Sequence, residues 1–65
     1  MIAPRTGTVT SYDAGYGYIA PHDGGRDITF DLKDCDREPQ QGSLVLFGTS
    51  ALAGRHVAEN IRVLR

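Results

Sequence analysis

Two tyrosines separated by one glycine are the residues of this chain best suited to bind a ligand. The segment Gly15-Tyr16-Gly17-Tyr18-Ile19 is typical of a short strand that ends near Pro21. Side chains alternate between the two faces of a strand, so Tyr16 and Tyr18 are predicted to lie side by side on one face. Gly17 is predicted to leave the other face bare, so that another backbone or a flat ligand can approach. Two adjacent rings can stack the bases of a single-stranded nucleic acid.

Two features favour the simpler interpretation that Tyr16 and Tyr18 are ordinary strand residues with no role in binding. Tyrosine is common in ordinary strands, where its hydroxyl can extend to water. The chain has a net charge of −1, and its seven lysines and arginines form no run. Phosphate binding usually leaves a basic footprint, so this charge argues against a strong nucleic-acid binder.

The remaining reactive side chains predict neither catalysis nor metal binding. His22, Cys35 and His56 lie far apart in the sequence, whereas a metal site needs three or four ligands at characteristic spacings. Carboxylates beside Cys35 disfavour its thiolate, so it is not expected to be a nucleophile. We therefore expect no enzymatic activity, no cofactor and no small-molecule substrate.

Length and composition predict one small domain over residues 1–65. The single cysteine, Cys35, cannot form an internal disulfide, which favours a reducing compartment. No segment approaches the roughly 20 apolar residues that span a bilayer, and residues 1–5 do not resemble a signal peptide. These features predict a cytoplasmic protein that does not bind membranes.

Turn residues and short apolar segments predict an all-β fold. Eight glycines and three prolines favour short strands over helices. The predicted strands cover residues 6–13, 16–20, 27–32, 42–47 and 56–64, with a turn at 22–25, a loop at 33–41 and a flexible connection at 48–54. Five such strands predict a closed or nearly closed antiparallel barrel, because closure removes unpaired edges.

The predicted core follows the alternation of apolar residues, except that residues 44–47 are continuously apolar and are expected to be buried on both faces. The predicted core residues are Val9, Ile19, Ile28, Phe30, Leu44, Leu46, Val57, Ile61 and Val63, with Leu32 and Val45 as further candidates.

The order of these segments resembles that of a cold-shock domain, which is a five-stranded OB-fold barrel. Gly7-Thr8-Val9 is similar to the family's opening Gly-Thr-Val, and residues 15–19 are similar to its first RNA-binding motif, Gly-Phe-Gly-Phe-Ile. Residues 21–27 resemble its Pro-Asp-Asp-Gly-Gly-Lys-Asp turn, and residues 28–32 take the place of its second motif, Val-Phe-Val-His-Phe. The resemblance implies that bases of single-stranded RNA or DNA stack on this face with little sequence preference.

The departures from the family pattern imply weak binding. Where the family has Lys-Trp-Phe-Asn, this chain has Thr10-Ser11-Tyr12-Asp13, so the Lys and the Trp are absent. In the second motif, Thr29 and Asp31 replace the stacking Phe and His. Each stack of a base on an aromatic ring contributes about 1–3 kcal/mol, so losing three or four removes several kcal/mol. Tyr12 is expected to remain on the face beside the tyrosine pair.

The charges around this face leave two functions open. Asp34, Asp36 and Glu38 make the rim near Asp31 acidic and are offset only in part by Lys33 and Arg37. One function is weak binding of single-stranded RNA or DNA. The other is a protein-interaction or self-association module on the same barrel, with nucleic-acid binding lost. The candidate binding residues are Ser11, Tyr12, Tyr16, Tyr18, Thr29, Phe30, Asp31, Lys33 and Arg55.

Overall fold

Five strands and one short 3-10 helix form the computed structural model, which describes residues 4–52 and 54–65. The elements are β1 (Arg5–Asp13), β2 (Tyr16–Pro21), β3 (Ile28–Asp31), the 3-10 helix (Leu32–Asp34), β4 (Leu44–Leu52) and β5 (Arg55–Val63). The strands close into a barrel in the order β1-β2-β3-β5-β4. The predicted five-stranded barrel is confirmed, with one difference: β3 and β5 pair in parallel, while the other neighbouring strands are antiparallel. In the described part of the chain, no helix is long and apolar enough to cross a membrane.

A tight turn between β1 and β2 fixes the start of the tyrosine segment. Ala14 and Gly15 both have a positive φ, at 55° and 88°. Two consecutive residues of this kind form the hairpin turn whose twist matches that of the flanking strands. Asp13 therefore pairs directly with Tyr16, and this pairing sets the register of the whole hairpin.

A bulge in β1 decides which of its residues face outward. Val9 pairs with Ile19, but Ser11 pairs with Tyr18, so Thr10 is an extra residue opposite this pair of β2 positions. An extra residue in one strand reverses the alternation beyond it. Val9 is therefore buried, while Ser11, two residues later, is exposed beside Tyr18.

The observed core agrees with most of the predicted residues but not in β4. Leu44 and Leu46 were predicted to be buried and are only half-buried, whereas Val45 and Phe47 point into the core. The expectation that both faces of this segment are covered was wrong, because each strand of a single barrel has one face toward the core and one toward the outside. The buried apolar residues are Val9, Ile19, Ile28, Phe30, Val45, Phe47, Ala58, Ile61 and Val63.

A second bulge changes the predicted core face of β5. Leu46 pairs with Arg62 and Gly48 with Glu59, so β5 has one extra residue in this interval. Asn60 lies there with a φ of 50°, a left-handed conformation that suits asparagine. Strict alternation had placed Val57 in the core; the bulge places Ala58 there and leaves Val57 half-buried.

The connections also differ from their predicted form. Residues 48–52 were predicted to be flexible but continue β4, where they pair with the first half of β5. Ala53 of the same predicted connection lies outside the described residues, as do residues 1–3 of the predicted domain. Leu32 was a further candidate for the core, but it begins the 3-10 helix and is half-buried.

The loop after the 3-10 helix is held against the end of β5. The Asp36 carboxylate accepts a hydrogen bond from the Val63 amide at 3.0 Å, and the Arg37 guanidinium donates to the Val63 carbonyl at 3.1 Å. The Asp36 amide donates to the Ile61 carbonyl at 2.9 Å. Arg37 was expected to offset the acidic rim of the binding face. Its guanidinium instead contacts the backbone at the end of β5.

Candidate nucleic-acid interface

The outer face of β2 carries the two most exposed aromatic side chains of the described residues. Tyr16 is 67% exposed and Tyr18 is 49% exposed. Across the sheet, Tyr18 lies between Ser11 of β1 and Thr29 of β3, while Tyr16 lies opposite Asp31. The neighbours of both rings are short, so the tyrosines project from a surface of small polar side chains.

The inner face of β2 is occupied by core packing around Gly17. Gly17 pairs with Tyr12 on one side and with Phe30 on the other. These two rings are nearly parallel, with an interplanar angle of 8° and centroids 6.1 Å apart. A Cβ atom at Gly17 would overlap the Ser11 carbonyl oxygen and come within 2.7 Å of the Phe30 ring. The expectation that Gly17 leaves room for a ligand was wrong, because its space is taken by the core.

Tyr12 lies between the exposed outer face of the sheet and the buried core. It is half-buried against the core, although it was expected to lie on the face beside Tyr16 and Tyr18. Its hydroxyl donates a hydrogen bond to the Glu38 carboxylate at 2.8 Å. Partial burial and the negative charge of Glu38 both raise the pKa of Tyr12. The residue therefore anchors the loop that carries Glu38 and presents only part of its ring to a ligand.

One open cleft of about 650 Å³ is lined by all nine candidate binding residues. We call it the aromatic cleft. Tyr16 and Tyr18 stand at its exposed side, and Phe30 is buried at its base. The structure thus brings the candidate residues together, including Lys33 and Arg55, which are 22 residues apart in the sequence.

Several residues of the aromatic cleft were missed by the sequence analysis. One of them is Val57, which lines the cleft because the parallel pairing of β3 with β5 places it opposite Thr29. The alternation in β5 predicted the other face for this residue, and no sequence signal identified the bulge that reverses it. Gly17 and Asp34 also line the cleft; they were placed near the binding face by the sequence but were not among the nine candidates. The lining residues that the sequence did not indicate are Asp13, Gln41, Val57 and Ala58.

Carboxylates outnumber cations in the lining of the aromatic cleft. Asp13, Asp31 and Asp34 contribute negative charge, while Lys33 and Arg55 contribute positive charge. Asp31 also has a structural role, because its carboxylate accepts a hydrogen bond from the Lys33 amide at 3.0 Å and caps the 3-10 helix. A phosphate bound here would meet a weakly negative surface rather than a basic one.

Cys35 lies beside this region without lining the cleft. Burial raises the pKa of its thiol to about 11, and the nearby Asp34, Asp36 and Asp31 raise it in the same direction. At neutral pH the thiol is therefore protonated, and only the thiolate is a strong nucleophile. The geometry gives this cysteine no catalytic activation.

Comparison with known proteins identifies the fold. No family model and no curated protein matches this chain. Among solved structures, the chain is similar to drosophila Unr CSD456, with a TM-score of 0.82 and 22% sequence identity. The likeness covers 95% of this chain but only 27% of that one, so this chain spans about a quarter of the length of its neighbour. The chain therefore has the barrel fold of a cold-shock domain.

Proposed function

We propose that this protein binds short segments of single-stranded RNA or DNA in the aromatic cleft, weakly and with little sequence preference. The observation that carries the proposal is the pair of exposed rings, Tyr16 and Tyr18, on one face of β2 at the edge of that cleft. Rings at this spacing stack successive bases, and every base offers a flat surface to an aromatic ring. Lys33 and Arg55 supply positive charge on the same lining.

The number of rings sets the expected affinity. Two stacks of about 1–3 kcal/mol each contribute about 2–6 kcal/mol. A dissociation constant of 1 mM corresponds to about 4 kcal/mol. Repulsion between the phosphates and the aspartates of the cleft lowers the total. We therefore expect dissociation constants in the upper micromolar to millimolar range.

A protein partner is the second candidate, and the charge of the cleft favours it. Asp13, Asp31 and Asp34 outnumber Lys33 and Arg55 in the lining, which suits a basic peptide better than a phosphate backbone. Self-association through the same face belongs to this alternative. The two functions make opposite predictions for titration with an oligonucleotide.

Nuclear magnetic resonance titration tests the proposed function directly. We expect hexathymidylate to shift the amide resonances of residues 11–18 and 29–33. Tyr16→Ala and Tyr18→Ala should each weaken binding by about 5- to 150-fold, the equivalent of one lost stack. Tyr16→Phe and Tyr18→Phe keep the rings and should bind nearly as the parent does.

Leu64→Ala provides a matched control for the alanine variants. Leu64 is an exposed apolar residue, like the tyrosines, but it does not line the aromatic cleft. Its removal should leave the affinity unchanged. Folded Tyr16→Ala and Tyr18→Ala variants that bind as tightly as the parent would exclude stacking on these rings. Shifts that depend only on protein concentration would instead indicate self-association.

A further inference from the structure

A second cleft, of about 430 Å³, has the opposite charge to the aromatic cleft. Its lining includes three arginines and one histidine, opposed by the carboxylate of Asp27. We call it the basic cleft. Three of the seven lysines and arginines of a chain with net charge −1 thus surround one depression. The arginines are Arg5, Arg26 and Arg55, and the histidine is His56.

The parallel pairing of β3 and β5 creates this concentration of charge. Thr29 of β3 pairs with Val57 of β5, and parallel strands begin at the same end of the barrel. Arg26 lies just before β3, while Arg55 and His56 are the first residues of β5. The residues that precede the paired segment of each strand therefore border one cleft, although they are about 30 positions apart in the sequence.

Among the described residues, two of the three guanidinium groups have no acidic partner. Arg5 is held by Asp23, with Nη2 at 2.9 Å from Oδ1. Within residues 4–52 and 54–65, this is the one ion pair, so Arg26 and Arg55 are unpaired. Asp27 is the carboxylate of the lining, and it accepts a hydrogen bond from the Thr10 hydroxyl at 3.2 Å. Exposed, unpaired guanidinium groups present the planar donor geometry that binds phosphate oxygens in pairs.

Arg55 connects the two clefts, because it lines both. The aromatic cleft supplies rings but carries more carboxylates than cations. The basic cleft supplies cations but no aromatic lining residue. A single strand needs both kinds of contact, since its bases stack and its phosphates attract positive charge.

We propose that the basic cleft binds phosphate groups of the strand that leaves the aromatic cleft, with Arg26 and Arg55 as the principal contacts. This inference rests on the proposed function, because the strand is positioned by its bases on Tyr16 and Tyr18. It adds a direction to the binding: the backbone passes from the tyrosines over Arg55 toward Arg26. Arg26 is the diagnostic residue, since it lines only the basic cleft.

The salt dependence of oligonucleotide binding tests this path. Each phosphate contact on a single strand contributes about 0.7 to the slope of log K against log salt. Arg26→Gln should therefore reduce this slope for a heptathymidylate by about 0.7. The loss of affinity that the substitution causes should be about eightfold larger at 0.05 M salt than at 1 M salt. Arg62→Gln is the matched control, because Arg62 is exposed but lines neither cleft. A thymidine dinucleotide has a single bridging phosphate and is expected to bind through its bases in the aromatic cleft, so it should bind the parent and Arg26→Gln alike.

A second titration separates failure of this inference from failure of the proposed function. Inorganic pyrophosphate should shift the amides of residues 26 and 54–56 in the parent and shift them less in Arg26→Gln. If the oligonucleotide binds but Arg26→Gln matches Arg62→Gln in salt slope, the phosphate path is wrong while the proposed function stands. If pyrophosphate shifts these amides but the oligonucleotide does not bind, the strand and its path are both wrong and only an anion site remains. No shift with either probe overturns both proposals.

Discussion

The two faces of β2 differ in what their residues contact. On the inner face, Gly17 and Ile19 are buried among core side chains, and Gly17 fits only because it lacks a Cβ atom. On the outer face, Tyr16 and Tyr18 are largely exposed and have short neighbours. Alternation along one strand thus separates packing from ligand contact. Substitutions on the inner face should change stability, and those on the outer face should change binding.

Restoring rings on the outer face should produce the largest effect. Ser11 and Thr29 flank Tyr18 in one row across the sheet, so Ser11→Trp with Thr29→Phe would place three rings side by side. Two added stacks are worth about 2–6 kcal/mol, which corresponds to a gain in affinity of about 30-fold or more. Titration of the parent and the double variant with hexathymidylate, followed in both by amide chemical shifts, measures this gain.

A control for added apolar surface is available on the same strand. Thr6→Phe introduces a ring at an exposed position of β1 that does not line the aromatic cleft. It should leave the affinity unchanged. A folded double variant that gains no affinity would count against nucleic-acid binding and favour a protein partner. This design keeps Asp31 unchanged, because its carboxylate caps the 3-10 helix.

Filling the inner face at Gly17 should destabilise the fold. In Gly17→Ala the new methyl group meets the Ser11 carbonyl oxygen and the Phe30 ring, so the backbone of β1 must move. Overpacking of this kind costs about 3 kcal/mol. We expect a loss of that size in the free energy of unfolding, measured with chemical denaturant.

Gly48→Ala is the matched control for the Gly17 substitution. Both glycines lie within strands, but a Cβ atom at Gly48 would be 3.8 Å from its nearest neighbours, an ordinary contact. Gly48→Ala should change stability by no more than about 1 kcal/mol. Equal losses of unfolding free energy in the two variants would show that the crowding around Gly17 does not cause the destabilisation of Gly17→Ala.

The fold was predictable because apolar or β-branched segments, most of them alternating, are separated by glycine- and proline-containing turns. The position of Tyr16 and Tyr18 on one face of β2 was also predictable, since strand geometry alone places them side by side. The order of motifs then indicated a barrel of the cold-shock type. These inferences depend on local pattern, which the sequence displays directly.

The remaining features depend on contacts that local pattern does not encode. The extra residues Thr10 and Asn60 each reverse the alternation of their strand, which places Ser11 outside and Ala58 inside. The parallel pairing of β3 and β5 brings Val57 to Thr29 and collects arginines at one end of the barrel. Bulges and strand order are decided by closure of the whole barrel, so alternation within a single strand cannot predict them.

The smallest changes in stability and affinity are expected at Tyr12, because its side chain belongs completely neither to the buried face of the sheet nor to the exposed one. Its ring packs against Phe30, and its hydroxyl donates to Glu38 near the protein surface. Tyr12→Phe keeps the ring and removes one exposed hydrogen bond, so the free energy of unfolding should fall only slightly, by far less than in Gly17→Ala. Affinity for hexathymidylate should change by less than about twofold, because the stacking rings are unaltered.

A double-mutant cycle between Tyr12 and Glu38 isolates this hydrogen bond from other effects. If the bond accounts for the loss, Glu38→Ala should destabilise the parent but add nothing further in a Tyr12→Phe background. Tyr16→Phe is the control for removing a hydroxyl from an exposed ring, and its stability should equal that of the parent. A large loss of oligonucleotide affinity in Tyr12→Phe would instead show that this hydroxyl or the loop it anchors contacts the ligand. Tyr12 would then belong with the outer-face tyrosines in binding, despite its packing against the core.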